Sequence, residues 1–249
     1  MGKIGVFDSG IGGITVLEEL YKLLPNENYL YFGDNANAPY GDKSNEDLRV
    51  LTYKIINYII KRDVQMIVIA CNTVTSFLYK ELVKNIKIPI VGVIYPTVDF
   101  VNNLRVKKVG IIATVRTIEN NVYQKMIDKD VKTLKTPEFV PMIENGTYVN
   151  KAPEIKAILQ PLLDENIHAL VLGCTHYPFL RDFIETFYSG IIVDSGIVTA
   201  IEVKEKLIHY NLLENNRNIE INVSGNLESF KHIINNFVSF KYTIRKVDL

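Results

Sequence analysis

The 249-residue sequence has no tryptophan, only two cysteines and only four histidines. Two cysteines cannot staple a small secreted fold, and neither stands in a Cys-x-x-Cys or Cys/His spacing that would hold zinc. Net charge is missing as well. Lys plus Arg and Asp plus Glu number 28 each, and no basic run is longer than Lys107-Lys108. That balance gives no electrostatic footprint for nucleic acid or an anionic membrane. No apolar run approaches the roughly 18 residues of a membrane span. Met1-Gly2-Lys3 leads into a short apolar strand rather than a cleavable leader, and Val6 stands where an N-myristoyl signal needs Ser or Thr. The expectation is a soluble cytoplasmic protein with no nucleic-acid or membrane partner.

What is present is a core. Apolar residues make up 47% of the chain and charged residues 22%, which excludes a disordered segment. At roughly 150 residues per domain, the length allows one or two.

The first half alternates strand and helix. Residues 3–7 read as a buried strand, Asp8-Ser9-Gly10-Ile11-Gly12-Gly13 as a tight turn, and 14–24 as a helix stopped by Pro25. The turn is glycine-rich but lacks both the dinucleotide fingerprint and the Walker Lys-Ser/Thr; its N–H groups suit a small carboxylate instead. Residues 29–32 form a second strand, followed by the turn-rich loop 35–42. Ser44 with Asp47 resembles a capping box for a helix reaching Lys61. Strands are expected at 65–70 and 88–94, with a helix over 74–85 between them.

The pattern then restarts. A strand at 108–113 leads to Thr114-Val115-Arg116-Thr117 and a helix to about Ile127; a helix covers 151–165 and a strand 168–173. Pro178 opens a helix over 179–187. Ile191-Ile192-Val193-Asp194-Ser195-Gly196 echoes the opening strand and its Asp-Ser-Gly, and a helix to about Leu212 follows. A last strand–helix–strand unit occupies 219–247. The fold expected is α/β, with two similar lobes of mainly parallel sheet flanked by helices and the active site in the cleft between them. The first lobe is assigned to residues 1–93 plus 205–249, the second to 94–204.

The two cysteines repeat one design. Val68-Ile69-Ala70-Cys71-Asn72-Thr73 and Val171-Leu172-Gly173-Cys174-Thr175-His176 each end an apolar strand in a small residue, then a thiol, then polar residues able to open a helix. A lone cysteine among Val, Ile and Ala is ordinarily a small buried hydrophobe. A core strand has no use, however, for the hydroxyl, amide and imidazole groups that follow these two. A thiol has a free pKa of about 8.5, which a helix N-terminus lowers, so it serves as acid or base. Two thiols on opposite faces of one carbon can remove a proton from one side and return one from the other. His176 sits beside Cys174 in sequence, whereas His168, His209 and His232 have no such setting and read as structural.

This constellation resembles the glutamate racemases of the aspartate/glutamate racemase superfamily, over nearly the whole chain. The matching stretches are Gly5 to Gly13, Pro39-Tyr40-Gly41, Ala70-Cys71-Asn72-Thr73, Phe139-Val140-Pro141, Leu172 to Pro178 and Asp194-Ser195-Gly196. The resemblance implies that Cys71 and Cys174 are the acid/base pair, acting on the D- and L-enantiomer respectively, with Asp8 assisting Cys71 and His176 assisting Cys174. It also implies that Ser9, Tyr40, Gly41, Asn72, Thr73, Thr117 and Thr175, with Asp8 and His176, hold the substrate. No cofactor or metal is implied, and no Schiff-base lysine is required; the partner implied is glutamate, within a homodimer. D-glutamate so made would feed peptidoglycan synthesis. Asn37, Tyr95, Thr97 and Thr136-Pro137-Glu138 depart from the usual pattern, at none of the matched positions. The rival expectations are a racemase of another amino acid, above all aspartate, and a non-catalytic two-lobed amino-acid-binding module.

Overall fold

The computed structural model describes residues 2–235 and 237–249; Met1 and Asn236, both within the span assigned to the first lobe, lie outside the described residues. The first half runs β1 (Lys3–Asp8), α1 (Gly13–Leu23), β2 (Tyr29–Gly33), α2 (Asn45–Ile60), β3 (Val64–Ile69), α3 (Asn72–Asn85), β4 (Ile90–Gly92) and α4 (Ile94–Asn103). The middle runs β5 (Lys108–Ala113), α5 (Val115–Glu119), α6 (Val122–Met126), β6 (Asp130–Lys135), α7 (Phe139–Glu144), α8 (Ala152–Leu163), β7 (Ala169–Gly173), α9 (Arg181–Glu185) and β8 (Ile191–Asp194). The chain ends with α10 (Ser195–His209), β9 (Ile219–Val223), α11 (Leu227–Ile234) and β10 (Thr243–Lys246). Among the described residues no helix is long and apolar enough to cross a membrane.

The strands form a six-stranded sheet, β10-β9-β2-β1-β3-β4, and a four-stranded sheet, β6-β5-β7-β8. Each pairing in them is parallel. A parallel strand is covered on both faces by its crossover helices, and period-two alternation sorts its apolar side chains between them. In β1 and β3, Ile4, Val6, Met66 and Val68 join one core while Phe7, Ile67 and Ile69 join the other. Leu170 and Leu172 likewise oppose Ala169 and Val171 across β7. Strands β9 and β10 extend the first sheet beyond β2. Helix α10 leaves the second sheet yet packs on the first core through Ala200, Val203 and Leu207.

Several elements differ from expectation. The strand expected over 88–94 is only Ile90–Gly92, because Ile94 already opens α4. The helix expected to reach about Ile127 breaks between α5 and α6, where Asn121 takes a left-handed conformation at φ 56°. The stretch after Pro178 divides into a 3₁₀ turn, Tyr177–Leu180, and α9. Ser44 does cap α2, its hydroxyl accepting the Asp47 N–H at 3.1 Å.

Candidate active site

Strands β3 and β7 deliver the thiols. Each is an interior strand that ends where the chain turns polar; Cys71 is the residue preceding α3, and Cys174 immediately follows Gly173 at the end of β7. Each cysteine strand also lies beside an Asp-Ser-Gly strand, β3 beside β1 and β7 beside β8. In both turns the aspartate accepts the N–H of the glycine two residues on: Gly10 N to Asp8 Oδ2 at 3.0 Å, and Gly196 N to Asp194 Oδ1 at 2.7 Å. The repeat in the sequence is therefore a repeat of local geometry.

The two free thiols line one small cavity of about 40 Å³. Ser9, Tyr40, Gly41, Asn72 and Thr73 reach it from the first sheet's loops and helix ends, Thr175 and His176 from the second's. Thr114, Val140 and Glu144 complete the wall with Ala38 and Pro39. Two expected site residues stand behind it. Asp8 is fully buried and reaches the wall through the Thr175 hydroxyl, which donates to its Oδ1 at 3.3 Å. Thr117, also fully buried, is linked by a 3.0 Å hydroxyl contact to Thr114, which in turn contacts Thr73 at 3.3 Å. Asp8 accepts the Gly10 N–H and the Thr175 hydroxyl, and its charge lies close enough to Cys71 to raise the thiol it was expected to serve.

The two sheets meet closely here. A Cβ on Gly12 would collide with the Thr175 hydroxyl and the His176 ring, so the bare backbone is what lets the β1–α1 turn approach the end of β7. Thr15 fixes that contact by donating its hydroxyl to the Thr175 carbonyl at 2.9 Å. Tyr40 is held from behind by Asp34, which accepts its phenol at 2.5 Å. Arg116 of α5 reaches over to the loop after Tyr40, donating to the Gly41 carbonyl at 3.1 Å, the Asn45 side chain at 2.7 Å and the Lys43 carbonyl.

The electrostatics differ around the two sulfurs. Cys71 donates to the Ser9 hydroxyl at 3.5 Å; burial, with the Asp8 charge adding to it, pushes the thiol up to about 12. His176 Nδ1 lies 3.8 Å from Cys174 Sγ and its Nε2 3.0 Å from Glu144 Oε1. Burial would hold the imidazole neutral, but the contacts with Cys174 and Glu144 outweigh it and raise the ring to about 10. Burial also raises the Asp8 carboxyl, against the opposing pull of His176 and the Gly10 and Gly13 N–H groups. At neutral pH the site thus carries a Cys71 thiol and a His176 imidazolium.

Sequence reasoning missed Glu144 and Thr114. Thr114 had a usable signal, since it follows the last residue of β5 as Cys71 follows Ala70. Glu144, at the end of α7, had none. A wider cleft of about 680 Å³ lies on the far side of Glu144, between α7 and α11, and contains neither cysteine.

Two parallel sheets, each ending an interior strand in a buried thiol over one shared cavity, define a two-thiol α/β protein built from a repeated strand–turn–helix unit. The chain belongs to the Asp/Glu/hydantoin racemase family, whose model matches residues 4–202. It is 38% identical over 257 aligned residues to the glutamate racemase of Carboxydothermus hydrogenoformans, covering 99% of this chain and 96% of that one. The crystal structure of a glutamate racemase isoform from Bacillus anthracis superposes with a TM-score of 0.94 at 32% identity, covering 100% of this chain and 98% of that one. The glutamate racemase of Francisella tularensis, solved in complex with D-glutamate, superposes with a TM-score of 0.90 at 32% identity, covering 100% and 97%.

Proposed function

We propose that this protein interconverts L- and D-glutamate by proton transfer at Cα between two thiols, without a cofactor. The observation that carries the reading is the placement of Cys71 and Cys174 at the ends of strands in different sheets, on the wall of one cavity. In the D-to-L direction Cys71 first passes the proton it holds at rest to the neighbouring Asp8 carboxylate, then as thiolate takes the α-proton, while Cys174 returns a proton to the opposite face. The reverse reaction exchanges the roles. His176, protonated and within reach of Cys174 Sγ, supplies or recovers the proton on that side, and Glu144 balances its charge. Asp8 orients the Thr175 hydroxyl. Ser9, Tyr40, Gly41, Asn72, Thr73 and Thr117, with Thr114, supply fixed dipoles for the two carboxylates and the amine. Excluding water strengthens every one of those dipoles as charge builds on the α-carbon and its carboxylate.

A cavity of about 40 Å³ holds a water or two, not an amino acid. We infer that two lobes, one built on the six-stranded sheet and one on the four-stranded sheet, part to admit substrate and close over it, with α10, which packs on the first core, moving with the first. Glutamate is favoured over aspartate by the run of relatives named glutamate racemases at 33–38% identity. The same resemblance supports a cytoplasmic homodimer that supplies D-glutamate for peptidoglycan, and sedimentation in solution reads the dimer directly. The deciding experiment for the activity is incubation with L- or D-glutamate in heavy water. Deuterium should appear at Cα of both enantiomers as the rotation decays. Exchange on aspartate alone, or on neither amino acid, would overturn the reading.

A further inference from the structure

Asn72 opens α3 beside Cys71, lines the cavity and is 3% exposed. The two ends of its amide are treated differently. Oδ1 accepts the Tyr123 phenol at 2.8 Å, whereas Nδ2 is buried with no hydrogen-bond partner. A buried amide N–H left unpaired costs stability unless an acceptor arrives, and a carboxylate entering this cavity is such an acceptor. Which end of the amide is free then matters, because a carbonyl presented to a carboxylate repels it.

Tyr123 decides which end that is. It belongs to α6, on the second sheet, while Asn72 belongs to α3, on the first; it is fully buried and does not itself line the cavity. Burial raises its phenol, so the hydroxyl keeps its proton and donates it. Thr97 lies within hydrogen-bonding reach of the same phenol and anchors its own hydroxyl on the Val93 carbonyl at 2.6 Å.

We propose that Tyr123 is a positioning residue: by donating to Asn72 Oδ1 across the two sheets, it keeps the Asn72 Nδ2 as a donor for a substrate carboxylate. The inference rests on the reading of the cavity as a glutamate site. The bond joins elements of different sheets, so a parting of the lobes breaks it and closure restores it; the amide is set as the site shuts.

Tyr123→Phe keeps the ring and removes the hydroxyl. The expected result is an unchanged melting temperature, a KM for both enantiomers raised about 10-fold, the worth of a hydrogen bond to a charged group, and kcat changed by less than about 3-fold. Asn72→Ala should raise KM similarly, and the double variant should be no worse than Asn72→Ala alone, because the tyrosine acts only through the amide. Asn72→Asp is the independent check where Tyr123→Phe lowers stability. It places a carboxylate oxygen where the donor stood and should raise KM by about 100-fold or more, like charges being opposed. An unchanged KM in Tyr123→Phe, additive single effects, or a tolerated Asn72→Asp would each overturn the proposal. Calorimetric glutamate binding to the same proteins separates the two claims. A wild type that binds but does not racemise would sink the functional reading, while the ratio of dissociation constants still decides the role of Tyr123.

Discussion

The Nε2 of His176 lies 3.0 Å from Glu144 Oε1, and this contact helps keep a nearly buried imidazole charged beside Cys174. Glu144 itself is partly open to solvent, so the pair is worth less than a fully buried one. Its role is to set the proton on the ring. Glu144→Gln retains a hydrogen-bond partner but removes the charge. In the direction that Cys174 initiates, L to D, kcat should fall about 10-fold, equal to about 1.4 kcal/mol of lost stabilisation, with KM nearly unchanged. Circular-dichroism progress curves from each enantiomer measure this, and equal rates to wild type would remove Glu144 from the site.

The same contact predicts a stability profile. His176 has its folded pKa raised from the ordinary 6.5 to about 10. Its contribution is therefore complete below about pH 6.5 and is lost as pH climbs through about 10. Cys71, raised from 9.0 to about 12, acts with the same sign, since the fold favours the neutral thiol and loses stability once pH exceeds 9.0. The melting temperature should fall between about pH 7 and about pH 10, and His176→Gln should flatten the lower part of that fall. Calorimetric scans across the range check it; a melting temperature that rose with pH would contradict the assigned charges.

Much of this was legible in the residues. Strands β1, β3 and β7 are apolar on both faces, so they announce themselves as buried parallel strands, and the thiols at the ends of β3 and β7 announce the site. Strand β6 was not foreseen because Asp130-Val131-Lys132-Thr133-Leu134-Lys135 is an edge strand with alternating, half-exposed residues. Helices α4 and α7 were hidden by Pro96 and Pro141, which local rules count against a helix yet which sit within their early turns. Glu144 was invisible because its meaning depends on His176, 32 positions away. The Asp8–Thr175 bond likewise spans 167 positions and both sheets, a relationship that no local pattern encodes.

Arg116 fastens the loop carrying Tyr40 and Gly41 to α5 through three acceptors. A guanidinium forks to several carbonyls at once and an ammonium does not. Arg116→Ala should loosen the loop and raise KM for both enantiomers by about 10-fold, and Arg116→Lys should recover only part of the loss. Steady-state kinetics decide it, since a Lys variant equal to wild type would show that the fork is dispensable.

The assignment of opposite faces to the two thiols is tested most directly with a halogenated glutamate that loses halide after α-proton removal, a reaction that needs only one base to begin. Cys→Ser is nearly isosteric, and burying the hydroxyl costs on the order of 1 kcal/mol, which leaves the fold intact. It also replaces a thiol of tunable pKa with a hydroxyl that scarcely ionises. Cys71→Ser and Cys174→Ser should each abolish racemisation. Cys71→Ser should still eliminate halide from the L-enantiomer and Cys174→Ser from the D-enantiomer. If both variants consumed the same enantiomer, or if either racemised glutamate at the wild-type rate, the two-thiol account would be wrong.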